Sequence, residues 1–114
     1  MCIVTSGTAT LETALLEKPM VIIYKTAFLT YLLRRLLVKI KHFGLANIVA
    51  GEEVVPECLQ DEARPTIIAE KLLRIYRDPK KFQDIKGKLQ KIKQSLGQPG
   101  ASRRAAEIVL AAVA

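Results

Sequence analysis

The segment over residues 6–12, Ser-Gly-Thr-Ala-Thr-Leu-Glu, combines residue types and a spacing that suit phosphate binding. An apolar stretch ends before it and helical spacing of apolar residues begins within it, so we predict a strand–turn–helix junction. Such a junction points free backbone N–H groups and the positive end of the helix dipole at one spot. We predict that Gly7 lets the backbone approach a phosphate and that the Ser6 and Thr8 hydroxyls donate to it. Glu12, about one helical turn after Thr8, is placed to accept hydrogen bonds from two ribose hydroxyls.

The same junction also has a purely structural interpretation. A Ser-Gly-Thr sequence often serves only to start a helix, and Glu12 then is a solvated residue of its first turns. The Walker spacing G-x-x-x-x-G-K-[ST] and the dinucleotide fingerprint G-x-G-x-x-G are both missing from the segment. The residues alone therefore leave phosphate binding and helix capping open.

The elements around this junction predict an α/β fold with a parallel sheet. Residues 2–4 form a short apolar strand, and the helix after the turn should end near residues 17–18 because Pro19 cannot continue it. Residues 20–24 are an uninterrupted apolar run, typical of a parallel strand buried on both faces. Ligands of open α/β sheets bind at the carboxyl ends of the strands, where the turn at residues 6–8 should lie.

The rest of the chain is predicted to be mainly helical. Asp78 followed by Pro79 is a strong start signal for a long helix, and Gly97 should stop it. Ser102 is expected to cap the last helix. The other predicted segments are a helix over residues 26–41, a loop or short strand over 45–51, a short strand or turn over 54–56, and a helix over 65–76.

Composition and charge limit the classes of partner. The chain has 114 residues and a formal net charge of +7, which favours acidic partners such as a nucleotide diphosphate, an anionic membrane or a nucleic acid. The lysine-rich face after Pro79 lacks interleaved aromatic residues, so we predict a solvated face and no nucleic acid partner. Cys2 and Cys58 show neither a pairing pattern nor metal-ligand spacing, and we expect reduced thiols and no metal ion.

The helix predicted over residues 26–41 has two interpretations. Its apolar stripe is accompanied by cations, and an amphipathic basic helix can lie in a membrane interface. A core-packed helix with a solvated basic edge fits the same pattern. No apolar run approaches the ~18 residues of a membrane-spanning helix, and no signal-peptide pattern is found, so we predict a cytoplasmic protein. The cations of this segment are Arg34, Arg35, Lys39 and Lys41.

Four sequence blocks occur in an order that is typical of one enzyme family. They are S-G-T-A-T-L-E from residue 6, P-M-V from residue 19, L-A-N-I-V-A-G from residue 45 and V-V-P-E-C-L-Q from residue 54. In these blocks the chain resembles the lipid-A-disaccharide synthase family, specifically over residues 2–60 and more loosely to about residue 110. The resemblance implies a partial Rossmann-like C-terminal domain of a GT-B glycosyltransferase, with a helical C-terminal part.

The resemblance also implies roles for five residues. Ser6, Gly7 and Thr8 would meet the diphosphate of a UDP-sugar. Glu12 would hold the ribose of that nucleotide. Asn47 matches a family asparagine placed at the active site near the donor.

Three further positions are weaker candidates for the nucleotide-sugar site. Glu57 and Gln60 match the P-E-x-L-Q block of the family, without an assigned role. Glu52 stands where many relatives carry arginine, and Lys25 is a candidate for a substitute cationic contact.

The reaction implied by the resemblance transfers 2,3-diacylglucosamine from UDP to 2,3-diacylglucosamine 1-phosphate (lipid X), releasing UDP, in lipid A biosynthesis. It implies no metal and no cofactor, and a general base in an N-terminal half, so we name no catalytic residue here. It also implies a location on the inner face of the cytoplasmic membrane. The alternative is a non-enzymatic basic α/β module that binds a membrane surface or a protein partner.

The first residues read as the end of a buried strand, so we expect a fragment that is inactive alone. We assign residues 1–77 to a UDP-sugar-binding part truncated at its N-terminus. Residues 78–114 are then C-terminal helices that cross to the other half or to a dimer partner. Homodimers formed by C-terminal exchange are implied by the resemblance.

Overall fold

The computed structural model describes residues 1–37 and 41–114, and within them strands and helices alternate before a helical second half. A short 3-10 turn, Gln60–Glu62, follows the last strand. The strands are β1 (Cys2–Thr5), β2 (Met20–Tyr24) and β3 (Glu57–Leu59). The helices are α1 (Thr8–Leu15), α2 (Phe28–Leu37), α3 (Leu45–Ala50), α4 (Pro65–Tyr76), α5 (Pro79–Ser95) and α6 (Ala101–Val113).

The strands form one parallel sheet in the order β1-β2-β3, with β2 in the centre. Val4 of β1 pairs with Ile22, and Ile23 pairs with Cys58 of β3. Met20, Val21 and Ile22 are completely buried, which is expected of a central parallel strand covered on both faces. The predicted α/β class with a parallel sheet is confirmed, and the architecture is that of a partial Rossmann-like domain.

Helix α5 completes the core that the sheet begins. Its apolar residues Ile85, Leu89 and Ile92 are buried in the same cluster as Val4 and Ala14 of the first βα unit. The helix contacts α1, α3 and α4. Residues on both sides of position 77 therefore share one hydrophobic core, and the division of the chain at that position stays a prediction.

The start signals of α4 and α5 are confirmed by the structure. Helix α4 begins at Pro65 and ends at Tyr76, as predicted. At the start of α5, the carboxylate of Asp78 accepts a hydrogen bond from the backbone N–H of Lys81 at 3.1 Å. The proline after each cap costs no hydrogen bond, because the first N–H groups of a helix have no partner within it.

Two predicted segments are wrong in detail. Residues 45–50 form helix α3 instead of a loop or strand, ended by Gly51 in the left-handed conformation with φ 71°. Ser102 lies inside α6, and the residue that precedes this helix is Gly100, with φ 102°. Strand β3 was not predicted, because it has only three residues and its first one is a glutamate.

Helix α2 presents its apolar stripe to the outside. It begins at Phe28, later than predicted, and Lys41 lies in a bend; the predicted segment over residues 38–40 lies outside the described residues. Phe28 and Leu37 are 73% and 79% exposed. The described part of this helix is therefore not packed into the core of the chain. Across residues 1–37 and 41–114, no helix combines the length and apolarity needed to cross a membrane.

Candidate functional site

The carboxyl ends of the three parallel strands bring together the segments that the sequence singled out. Strand β1 leads into Ser6 and Gly7, β2 leads into Lys25, and β3 leads into Gln60. This edge of an open α/β sheet is where ligands bind. The predicted placement of the junction at the edge is confirmed.

The turn between β1 and α1 aims free N–H groups outward. The carbonyl of Gly7 accepts hydrogen bonds from the Thr10 backbone N–H at 3.2 Å and from the Thr10 hydroxyl at 2.8 Å. A trans peptide places its N–H opposite its carbonyl, so the N–H of Thr8 points away from the helix. Within the described residues, the N–H groups of Gly7, Thr8 and Ala9 donate to no protein acceptor. The turn therefore presents three donors and a helix dipole to an anion.

Gly7 makes this geometry accessible. Its φ of 142° lies in a region that residues with a side chain rarely adopt. No atom lies within 4 Å of the position a Cβ would take. The glycine is therefore required by backbone conformation, and the space beside it is open for a ligand.

Ser6 is bound to the protein by both of its donors. Its backbone N–H donates to the Ile23 carbonyl at 2.9 Å, and its hydroxyl donates to the Phe43 carbonyl at 2.8 Å. A hydroxyl has one hydrogen, so it cannot donate to a phosphate while it holds Phe43. Donation from Ser6 to a ligand stays a prediction that requires this bond to break.

Thr8 and Glu12 lie on the open side of α1. Both residues are exposed, and Glu12 follows Thr8 by about one turn of the helix. Within the described residues, no hydrogen bond engages the Glu12 carboxylate. Both side chains are free to meet a ligand, as their predicted roles require.

Asn47 lies in the interior of the protein and is completely buried. Its Nδ2 donates to the Val55 carbonyl and to Glu57, both at 2.8 Å. Its Oδ1 accepts from the N–H groups of Val54 and Val55 at 2.9 and 3.0 Å. All the hydrogen-bonding capacity of the amide is used, so the structure gives Asn47 the task of fastening α3 to the segment before β3. Its contact with a donor sugar stays a prediction.

Glu57 holds the turn that precedes α3. One carboxylate oxygen accepts from the N–H of Gly44 at 3.0 Å and from Asn47, and the other accepts from the N–H of Phe43 at 2.9 Å. The residue is only 8% exposed. A buried carboxylate is tolerated here because three donors compensate its charge.

Gln60 fixes the loop after β2. Its Oε1 accepts from the N–H of Thr26 at 2.8 Å, and its Nε2 donates to the Thr26 carbonyl at 3.0 Å. This pair of bonds fixes the backbone beside Lys25, which is exposed. Gln60 itself adopts a positive φ of 50°, in the left-handed region that non-glycine residues visit infrequently. Lys25 and Gln60 line one surface cleft, together with Thr26, Phe28, Tyr31, Leu59 and Asp61.

An aromatic cluster lies next to the turn. The Phe43 ring is 5.1 Å from the Tyr24 ring and 5.9 Å from the Tyr31 ring, measured between centroids. Arg34 donates to the Tyr24 hydroxyl at 2.6 Å. Glu52, by contrast, forms an ion pair with Lys88 of α5 at 2.9 Å.

Sequence reasoning did not identify Thr10, Phe43 and Gly44. Thr10 carried a usable signal, because a threonine three residues after the glycine of a turn can return a hydrogen bond to it. Phe43 and Gly44 act through their backbone groups, for which residue type carries little information. Their role appears only when β3 brings Glu57 beside them.

A parallel sheet flanked by helices, with unpaired N–H groups at its carboxyl edge, defines an α/β protein of the open-sheet class. The sequence profile described as "Lipid-A-disaccharide synthetase" matches residues 1–112. The chain belongs to this family, whose members are glycosyltransferases of lipid A biosynthesis.

Curated relatives agree with this assignment. A lipid-A-disaccharide synthase of Syntrophus aciditrophicus is 47% identical over 108 residues, which is 95% of this chain. Relatives of the same name from a Sulfurihydrogenibium species and from Persephonella marina are 45% and 42% identical over 94% and 93% of the chain. The chain spans 28% of the length of each of these relatives.

Proposed function

We propose that this chain is the donor-binding portion of a lipid-A-disaccharide synthase. The whole enzyme would transfer 2,3-diacylglucosamine from UDP to 2,3-diacylglucosamine 1-phosphate and release UDP. The observation that carries the proposal is the family match over residues 1–112, combined with the three free N–H groups at the carboxyl edge of the sheet.

In this proposal the turn binds the diphosphate of the donor. The N–H groups of Gly7, Thr8 and Ala9 donate to phosphate oxygens, and the α1 dipole favours the charge that develops on UDP as the glycosidic bond breaks. Glu12 accepts hydrogen bonds from the ribose hydroxyls. Lys25 contributes a positive charge from the end of β2. We name no general base among these residues, and we propose that the isolated chain binds donor without turning it over.

A titration of the full 114-residue chain with UDP tests the proposal, followed by amide chemical shifts. We expect saturable shifts at residues 6–12 and about tenfold weaker binding by Glu12→Ala, because a carboxylate contributes charge-assisted hydrogen bonds. Glu70→Ala is the matched control, since Glu70 is also exposed on a helix, and it should bind UDP like the unmodified chain. Equal UDP affinity of Glu12→Ala and the unmodified chain would show that the ribose assignment is wrong.

A second candidate function is attachment to a membrane surface through α2. Four apolar side chains of this helix are between 66% and 79% exposed, and Arg34 and Arg35 accompany them. Such a helix can insert apolar side chains among acyl chains and hold its cations near lipid phosphates. Those side chains are Phe28, Leu29, Leu36 and Leu37.

Co-sedimentation with anionic vesicles separates this function from donor binding. We expect retention on phosphatidylglycerol vesicles that is lost in a Leu36→Ser, Leu37→Ser double variant, with UDP binding unchanged. Retention by the double variant would exclude α2 as the attachment surface.

Homodimer formation by exchange of C-terminal segments is also our proposal, supported by the exposure of every residue of α6.

A further inference from the structure

The peptide group between Phe43 and Gly44 lies between the buried carboxylate of Glu57 and the turn at residues 6–9, called the anion-binding turn below because of its proposed role. Its carbonyl accepts the Ser6 hydroxyl at 2.8 Å, and its N–H, that of Gly44, donates to Glu57 at 3.0 Å. The preceding N–H, of Phe43, donates to the other Glu57 oxygen at 2.9 Å. One rigid peptide plane thus joins β3 to the residue at which β1 becomes the turn.

Glu57 is itself held from the far side. Asn47 donates to it at 2.8 Å, and the remaining bonds of that amide attach it to the backbone of Val54 and Val55. In the described residues, no buried side-chain polar atom lacks a partner, so this network is fully satisfied. A satisfied buried network fixes a single arrangement, because any displaced member leaves a costly unpaired group.

We propose that Glu57 is a positioning residue for the anion-binding turn and acts on it through the Phe43–Gly44 peptide and Ser6. The carboxylate polarises that peptide, which strengthens its carbonyl as an acceptor for the Ser6 hydroxyl. Ser6 in turn fixes where the backbone enters Gly7 and hence the direction of the free N–H groups. Glu57 touches no ligand in this arrangement. The inference rests on the proposed function only where it concerns nucleotide affinity.

Glu57→Gln is a sharp test because it keeps the shape of the side chain. An amide has one acceptor oxygen, whereas the carboxylate serves three donors with two. If the amide oxygen faces Gly44 and Asn47, its NH2 group faces the Phe43 N–H, donor against donor. Glu70→Gln makes the same chemical change on the exposed surface of α4 and is the matched control.

The first measurement needs no ligand. In Glu57→Gln we expect faster hydrogen exchange of the Phe43 amide and shifted Ser6 and Gly7 amide resonances. The Asp78 and Lys81 resonances at the start of α5 should not change. If the Phe43 resonance changes while those of Ser6 and Gly7 stay in place, Glu57 supports α3 only and the proposal is wrong. This measurement decides the coupling even if the isolated chain fails to bind UDP, an outcome that would count against the proposed function alone.

The second measurement is a double-mutant cycle with UDP as the probe. Glu57→Gln and Ser6→Ala should each weaken UDP binding about tenfold, since each removes one hydrogen bond of the chain that runs from Glu57 through the Phe43–Gly44 peptide to Ser6. The double variant should bind no more weakly than either single variant, because one substitution already breaks this chain of hydrogen bonds. Losses that multiply, to about a hundredfold, would show independent action and overturn the proposal.

Discussion

At the scale of single residues, Gly44 shows how tightly the site is built onto the core. It precedes α3, and its N–H donates to Glu57. A Cβ added at this position would overlap Cδ1 of Ile22 and lie 3.3 Å from the Glu57 carboxylate. Ile22 is completely buried in the central strand, so it has little freedom to move. The absence of a side chain at Gly44 is therefore a packing requirement, since its φ of −83° is ordinary for any residue.

We predict that Gly44→Ala lowers the free energy of unfolding by about 1–3 kcal/mol, the usual cost of overpacking a core. Gly87→Ala is the matched control, because Gly87 lies within α5 and a Cβ there meets nothing within 4 Å. The control should raise the free energy of unfolding by roughly 0.5–1 kcal/mol through helix propensity. Urea denaturation followed by circular dichroism measures both. Equal effects of the two substitutions would contradict this account of Gly44.

At the scale of secondary-structure elements, α5 decides whether the core is closed. Its buried residues Ile85, Leu89 and Ile92 recur at helical spacing, while most of its other positions are exposed. The helix carries many lysines that repel one another, so its stability depends on packing against the core and on capping of its N-terminus. Asp78 supplies this N-cap.

We predict that Asp78→Ala lowers the free energy of unfolding by about 1 kcal/mol, because the Lys81 N–H loses its acceptor. Asp84→Ala, in the same helix but without a capping bond, controls for the change of charge. Thermal unfolding of the two variants compares them directly. A loss as large for Asp84→Ala as for Asp78→Ala would assign the effect to charge instead of capping.

The sequence predicted elements whose signals are local and missed those that depend on distant contacts. Aspartate and proline at positions 78 and 79 specify a helix start by their own chemistry, and the apolar run of β2 specifies a buried strand. Helix α3 was not predicted, because six residues are too few to show a helical pattern in the sequence. Its position also depends on hydrogen bonds that join Asn47 to Val54, Val55 and Glu57, which follow the helix in the chain. The turn at residues 6–8 was predictable because, like β2, it is specified by residues that are adjacent in the sequence. The Ser6–Phe43 bond was not, because 37 residues separate its partners.

At the scale of the whole molecule, three ionisable groups among residues 1–37 and 41–114 have pKa values above their ordinary range. Burial raises the pKa of the Cys58 thiol. Burial is the largest single influence on Lys71 and acts to lower its pKa, but the hydrogen bond to Glu62 and the acidic groups nearby together raise it. The hydrogen bond to Glu52 raises the pKa of Lys88. In all three cases the folded protein holds its proton more tightly than the unfolded chain.

We therefore predict that the folded state loses stability at alkaline pH. A raised folded-state pKa contributes stability that is present below the unfolded pKa and is lost as pH rises through the folded value. For the thiol this loss begins above about pH 8.5, and for the lysines above about pH 10.4. Urea denaturation at a series of pH values measures the decline. Cys58→Ala should flatten its first part, and an unchanged decline in that variant would exclude the thiol as a cause.

The return of α5 to the first helix also bears on how the chain folds. The ion pair between Lys93 and Glu17 joins residues 76 positions apart, and the same helix covers Ala14. Contacts this distant form only after a long loop has closed, so we expect the β1–α1–β2 unit to form before α5 packs against it. Until residues 85–92 are made and docked, a nascent chain exposes the apolar face that α5 later buries. We expect the exposure of this face to favour aggregation during synthesis until α5 covers it.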